Sequence, residues 1–131
     1  MHINPFAVIA AALSSFVVGG LWYSPLLFVK PWKAELGIDP DAKAAPGSMV
    51  RQLAGCFVLA LVQAGMFAVF LGKTTPMMGA AYGLAAGVCW VAAAFGIEYL
   101  FEGRSFRFFL INGGYNAVTF TLYGLILGLW P

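Results

Sequence analysis

The chain has 131 residues, 62% of them hydrophobic and 9% charged. A soluble domain is about a quarter charged, so this chain lacks the polar surface to remain in water. The formal net charge of +2 is too small to argue for a nucleic-acid partner. The lone histidine, His2, and the two cysteines, Cys56 and Cys89, do not make a metal site of helical ligand spacing. No cofactor is implied.

Four apolar runs fill most of the chain, at about residues 4–24, 52–72, 76–101 and 106–130. About 20 helical residues, each rising 1.5 Å, cross a hydrocarbon core of about 30 Å. The short alternating strands of a membrane barrel are not seen. The expected fold class is all-α: an integral membrane bundle of four transmembrane helices in one domain, with short connections and one longer cytoplasmic loop. The run 76–101 is expected to be the helix around which the others pack.

The first run opens on Asn4 and Pro5, a side-chain cap followed by a proline suited to the first turn. It lacks a basic leader region and ends in bulky Trp22 and Tyr23, so it reads as a span rather than a cleaved signal peptide. Ala7, Ala11, Ser15 and Gly19 fall four apart, a stripe that lets another backbone approach closely. Pro25 disfavours helix at Ser24, and Trp22 and Tyr23 suit the headgroup level.

Residues 26–51 form the one sizeable polar stretch. Trp32 and the leucines before it interleave with Lys30 and Lys33, as in a segment lying at the interface; a plain solvated connector is the other reading. A short helix is expected around 32–36, and turns at 39–41 and 45–47.

The second run repeats the small stripe at Ala60, Ala64, Ala68 and Gly72, with Gln63 near its middle. A tight turn at 73–75 makes the second and third runs expected antiparallel neighbours. The third run carries Gly79, Gly83 and Gly87 on one face, and Glu98 near its far end. An intramembrane carboxylate is a candidate proton or cation site. Near a helix end it also reads as a structural ion pair with Arg104 or Arg107. Trp90 lies too deep for an aromatic belt and reads as filling the bundle or facing a partner. The cysteines read as small apolar packing groups.

The fourth run holds Asn112, Tyr115, Asn116 and Thr119 at three- and four-residue steps. They share one face, which must point inward. That face either lines a small cavity or makes ordinary interhelical hydrogen bonds.

The block Gly19–Phe28 (GGLWYSPLLF), with its Trp22-Tyr23-Ser24-Pro25 core and Trp32 beyond it, resembles the signature of domain of unknown function 1761. Phe101-Glu102-Gly103-Arg104 and Ile111-Asn112-Gly113-Gly114-Tyr115 fit the same family. The resemblance implies a small bacterial membrane protein with about four spans. It brings no activity, substrate or catalytic residues.

Two functions of different class follow. One is a structural or accessory bundle, a homo-oligomer or the companion of another membrane protein, suggested by the small-residue stripes. The other is a minimal proton- or ion-coupled transporter or channel acting as a dimer, suggested by Glu98 and the polar face of the fourth run. No catalytic residues are apparent. Six of the seven basic residues lie in the first and third connections. The positive-inside bias therefore places a multi-pass protein in a bacterial inner membrane with both termini outside. Its partners are the lipid bilayer and another membrane chain.

Overall fold

The computed structural model describes residues 3–39 and 47–130. Among these the chain is all-helical. Its helices are α1 (Pro5–Trp22), α2 (Val29–Leu36), α3 (Ser48–Leu71), α4 (Pro76–Ala86), α5 (Ala93–Glu102) and α6 (Phe106–Leu129). A π-helical segment, Gly87–Ala92, joins α4 to α5 without a break, making one rod from Pro76 to Glu102. The turns expected at 39–41 and 45–47 fall largely on residues 40–46, outside the described residues.

Local chemistry sets the helix ends. The Asn4 side chain accepts from the backbone N–H groups of Phe6 and Ala7, with Pro5 at the first helical position. Thr75 caps α4 in the same way, and Ser105 caps α6. Gly37 and Gly103 close α2 and α5 at φ of 71° and 73°, the left-handed region in which a side chain is strained.

Three helical stretches are long and apolar enough to cross a membrane by length and composition: Pro5–Trp22, Met49–Leu71 and Pro76–Glu102. Phe106–Leu129 is not among them, so four spans do not follow from length and composition. Its amides, hydroxyls and glycines dilute its hydropathy, and it is also the most enclosed helix. Phe108, Ile111, Gly113, Asn116, Thr119, Phe120, Tyr123, Gly124 and Gly128 are all buried. The hub of the bundle is therefore α6, not the 76–101 run. The one long helix that falls short in hydropathy takes the centre, where its side chains find partners, and the long apolar helices take the outside.

The α4–α5 rod packs along α6 almost backbone to backbone. A Cβ on Gly79 would collide with the Gly124 carbonyl, and one on Gly83 with the Phe120 carbonyl. One on Gly87 would stand 2.9 Å from the Ala117 Cα. Beyond the π segment the contact resumes: Ala92 meets Gly113, and Gly96 meets the Phe109 ring. Successive contacts along the rod are thus four residues apart except across the π segment, where Gly87 is followed by Ala92. Gly128 lies against Thr75 and Pro76, completing an antiparallel glycine seam.

α1 packs against both α6 and α3. Ala7, Ala11, Ala12 and Ser15 are buried in these contacts, as are Ala60 and Ala64 of α3. Ala68 is half-buried, and Gly72 ends the helix at a positive φ instead of continuing the stripe. The second and third runs, expected to be antiparallel neighbours, border a common groove but are not closely packed on each other. α3 packs on α1 and α6, and a groove of about 490 Å³ lined by Phe67, Phe70, Tyr82 and Trp90 lies between it and α4. The glycine face of α4 is already taken by α6. Trp90 is 74% exposed beside that groove, and both cysteines lie on exposed helix surface rather than in the packed interior.

Candidate functional site

One group of polar contacts gathers where α1 ends against the second turn of α6. Trp22 donates from its indole nitrogen to the Ile111 carbonyl oxygen at 2.7 Å. Tyr23 donates to Asn112 Oδ1 at 2.6 Å, and Asn112 Nδ2 donates to the Tyr99 hydroxyl at 3.0 Å. One amide therefore ties α1, α5 and α6 together. Gly114 makes room for this junction: a Cβ there would stand 2.9 Å from the Trp22 ring. Ser24 Oγ turns back to the Leu21 carbonyl, and the Phe28 N–H closes on the Trp22 carbonyl, which fixes the turn at Pro25. The Trp-Tyr-Ser-Pro block and the Ile-Asn-Gly-Gly-Tyr run are thus two halves of one lock.

α2 is clipped onto this junction. Trp32 packs edge-on to Tyr23 with ring centroids 5.5 Å apart. Arg107 of α6 donates to Glu35 Oε1 at 2.8 Å. The segment 29–36 is an ordered helix held to α6, one turn longer than expected because Pro31 falls within its first turn. The Ser105 hydroxyl, and after it Arg107, hold the Glu35 carboxyl below the usual carboxylate range. A carboxylate with a lowered folded pKa contributes stability above its unfolded pKa and loses it as pH falls through the folded value. Acid below about pH 4 is therefore expected to release α2. Trp32 fluorescence, in a variant whose other tryptophans are phenylalanine, should change there in the parent and be already changed at neutral pH in Glu35→Gln. An acid-insensitive signal in both would contradict the clip.

This use of Arg107 corrects the reading of Glu98. Glu98 is exposed and makes no ion pair among the described residues. Arg107 pairs across to α2, while Arg104 lies 4.0 Å from Glu102 and over the Phe108 ring. Glu102 is closer to Arg104 along the chain than Glu98 is, and Arg107 is engaged by Glu35.

Three of the other singled-out polar residues, Gln63, Tyr115 and Asn116, line a cleft between α1, α3 and α6. Its volume is about 1050 Å³, and Ser15, Tyr23, Gln63, Tyr115, Asn116 and Tyr123 supply its polar atoms. Apolar walls come from Leu13 and Phe16 of α1 and from Val50, Phe57 and Leu59 of α3. Tyr115 donates to the Ser15 carbonyl at 3.1 Å, and Tyr123 donates to Gln63 Oε1 at 3.1 Å. Asn116 Nδ2 donates back to the Asn112 carbonyl at 2.9 Å. Thr119 is buried, with its hydroxyl unpaired among the described residues. The cleft therefore brings together Gln63, Tyr115 and Asn116, but not Glu98. Asn112 stands beside it in the lock. Ser15 was legible only as a member of the small-residue stripe of the first run.

Among the described residues, no Asp, Glu, Lys or Arg lines the cleft, and no group of His, Cys, Asp and Glu is placed to hold a metal ion. Its chemistry is that of an apolar recess with neutral hydrogen-bonding groups on its floor.

An all-helical chain with three membrane-length apolar helices around a polar hub is a small membrane protein. More narrowly, the chain belongs to the family described as protein of unknown function (DUF1761), whose model matches residues 6–128. No curated protein and no solved structure matches it.

Proposed function

We propose that this protein binds a small, largely apolar molecule dissolved in the membrane, in the cleft between α1, α3 and α6. One observation carries the reading. The small-residue faces of α1, α3 and α4 are used up within the chain, yet the first half of α3 stands off and leaves a recess floored by tyrosine and amide groups. Ligand sites are concave, mostly apolar and carry a few placed polar groups, typically within about 300–1,000 Å³. The size and lining of this cleft fit that description.

The reading keeps the binding half of a transporter and drops Glu98 as its coupling group. It displaces the purely structural bundle, because the stripes that suggested oligomers are occupied by neighbouring helices of the same chain. A homo-oligomer joined through other surfaces remains compatible with it.

In this reading α6 crosses the membrane as a fourth span, shielded by the three apolar ones. Both termini lie outside a bacterial inner membrane, following the basic residues of the first and third connections. A reporter that fluoresces only in the cytoplasm, fused after Pro131, should stay dark; bright signal would reverse the orientation.

Binding is tested by organic extraction of the purified protein followed by mass spectrometry. A molecule should be released from the wild type and be depleted at least tenfold from Ala54→Trp, whose indole would intrude into the cleft. An equal yield from both, with both folded, would remove the cleft as the binding site.

A further inference from the structure

We propose that the cleft selects a molecule whose head group is uncharged and both accepts and donates a hydrogen bond, such as an alcohol or a carboxamide, seated between Gln63 and Asn116. This rests on the cleft-binding reading and adds the chemistry of the ligand to it.

The two amides are each half used. Gln63 accepts the Tyr123 hydroxyl proton through Oε1, so its NH₂ is the open end. Asn116 spends its Nδ2 on the Asn112 carbonyl, so its Oδ1 is the open end. Neither open end has a partner among the described residues, and both residues line the cleft. One offers a donor and the other an acceptor. At 1.5 Å per residue, Asn116 lies roughly 15 Å along α6 from Phe106 and roughly 20 Å from Leu129. That places it near mid-membrane depth, where a bare amide is costly.

A ligand group that accepts from Gln63 and donates to Asn116 satisfies both. A charged head would be buried without a counter-charge from the described residues, none of which lines the cleft with an Asp, Glu, Lys or Arg side chain. A plain hydrocarbon would fill the walls and leave both amides unpaired. The walls of Leu13, Phe16, Phe57 and Leu59 match the apolar body of such an amphiphile.

The test uses the full chain in lipid nanodiscs with hexadecanol bearing a mid-chain diazirine, and peptide mass spectrometry to locate the adduct. Labelling should fall on α1 and α3 residues of the cleft. Unlabelled hexadecanol and hexadecanamide should compete about tenfold better than hexadecane, the scale of one or two membrane hydrogen bonds. They should also compete better than hexadecyltrimethylammonium, whose charge finds no partner. Gln63→Leu, with thermal melting matched to wild type, should abolish the advantage of hexadecanol over hexadecane while leaving cleft labelling in place. The wild-type competition stands alone if that variant fails to fold.

The outcomes separate the two claims. Cleft labelling that Ala54→Trp removes, with hexadecane competing as well as hexadecanol, would overturn the head-group proposal and keep the binding site. In that case water, rather than a ligand head, satisfies the amides. Stronger competition by the cationic amphiphile would also overturn it. Labelling confined to the lipid-facing surfaces would overturn both.

Discussion

Gly83→Leu is expected to take apart the bundle. The Cβ alone would collide with the Phe120 carbonyl oxygen, with the carbonyl carbon at 2.7 Å and the Thr121 Cα at 3.0 Å. Overpacked cores usually lose about 1–3 kcal/mol because side chains yield. Here the obstacle is the backbone of α6, and what must yield is the spacing of two helices. In lipid the hydrophobic effect does not press helices together; close van der Waals contact does, and this seam supplies it. A loss above about 3 kcal/mol is expected, read as a fall in detergent melting temperature on the order of 10 °C or as failure to purify as one species. Gly20→Ala is the matched control, because nothing lies within 4 Å of its Cβ position. Gly103→Ala would be a poor one, since Gly103 sits at φ 73° and the substitution is strained whatever the space. Wild-type melting of Gly83→Leu would mean that the seam is not what holds α4 to α6.

The second large effect belongs to Trp22. Its ring occupies the notch left by Gly114, and its N–H reaches the Ile111 carbonyl. Trp22→Ala should cost about 3 kcal/mol, the lower end for removing a large packed aromatic. Trp22→Phe keeps most of the ring and loses the hydrogen bond, so about 1 kcal/mol is expected. The two melting temperatures should therefore fall in a ratio near three to one. Equal losses would show that the hydrogen bond, not the packing, carries the lock. Gly114→Val should reproduce Trp22→Ala from the opposite side of the contact.

Much of this fold is written in short-range signals. Asn4 with Pro5, Thr75 with Pro76, and Ser105 mark helix starts through chemistry that spans three residues. The step of four from Gly79 to Gly87 announces a close backbone contact, because nothing else rewards glycine within a membrane helix. What those signals omit is the identity of the partner. The glycine face reads the same whether it meets α6 or a second chain, and only the fold assigns it to Gly124 and Phe120. Glu98 shows the same limit with charges. Arg104 and Arg107 stand near it in sequence, but Arg107 is engaged by Glu35, which lies 72 residues earlier on a segment whose docking the sequence left open. The cleft is the least legible part. Val50, Leu53 and Phe57 look alike whether they face lipid, protein or a recess, since all three surroundings reward apolar side chains. The polar face of α6 pointed toward it, through Tyr115 and Asn116, without disclosing that α3 stands away.

The π segment of the α4–α5 rod gives this seam a property that a regular helix lacks. A π turn carries one residue more than an α turn, so it acts as a looped-out spacer in the register between the two halves of the rod. Gly79, Gly83 and Gly87 on one half, and Ala92 and Gly96 on the other, meet α6 because that extra residue is absorbed between them. Within Gly87–Ala92, removing one residue would restore ordinary helix and keep both halves aligned. The same removal at Ala81 or at Phe95 would turn part of the rod by about 100° and swing its small face toward lipid. The rod thus has one position that tolerates a change in length, set in the middle of a seam that tolerates almost no change in side-chain size.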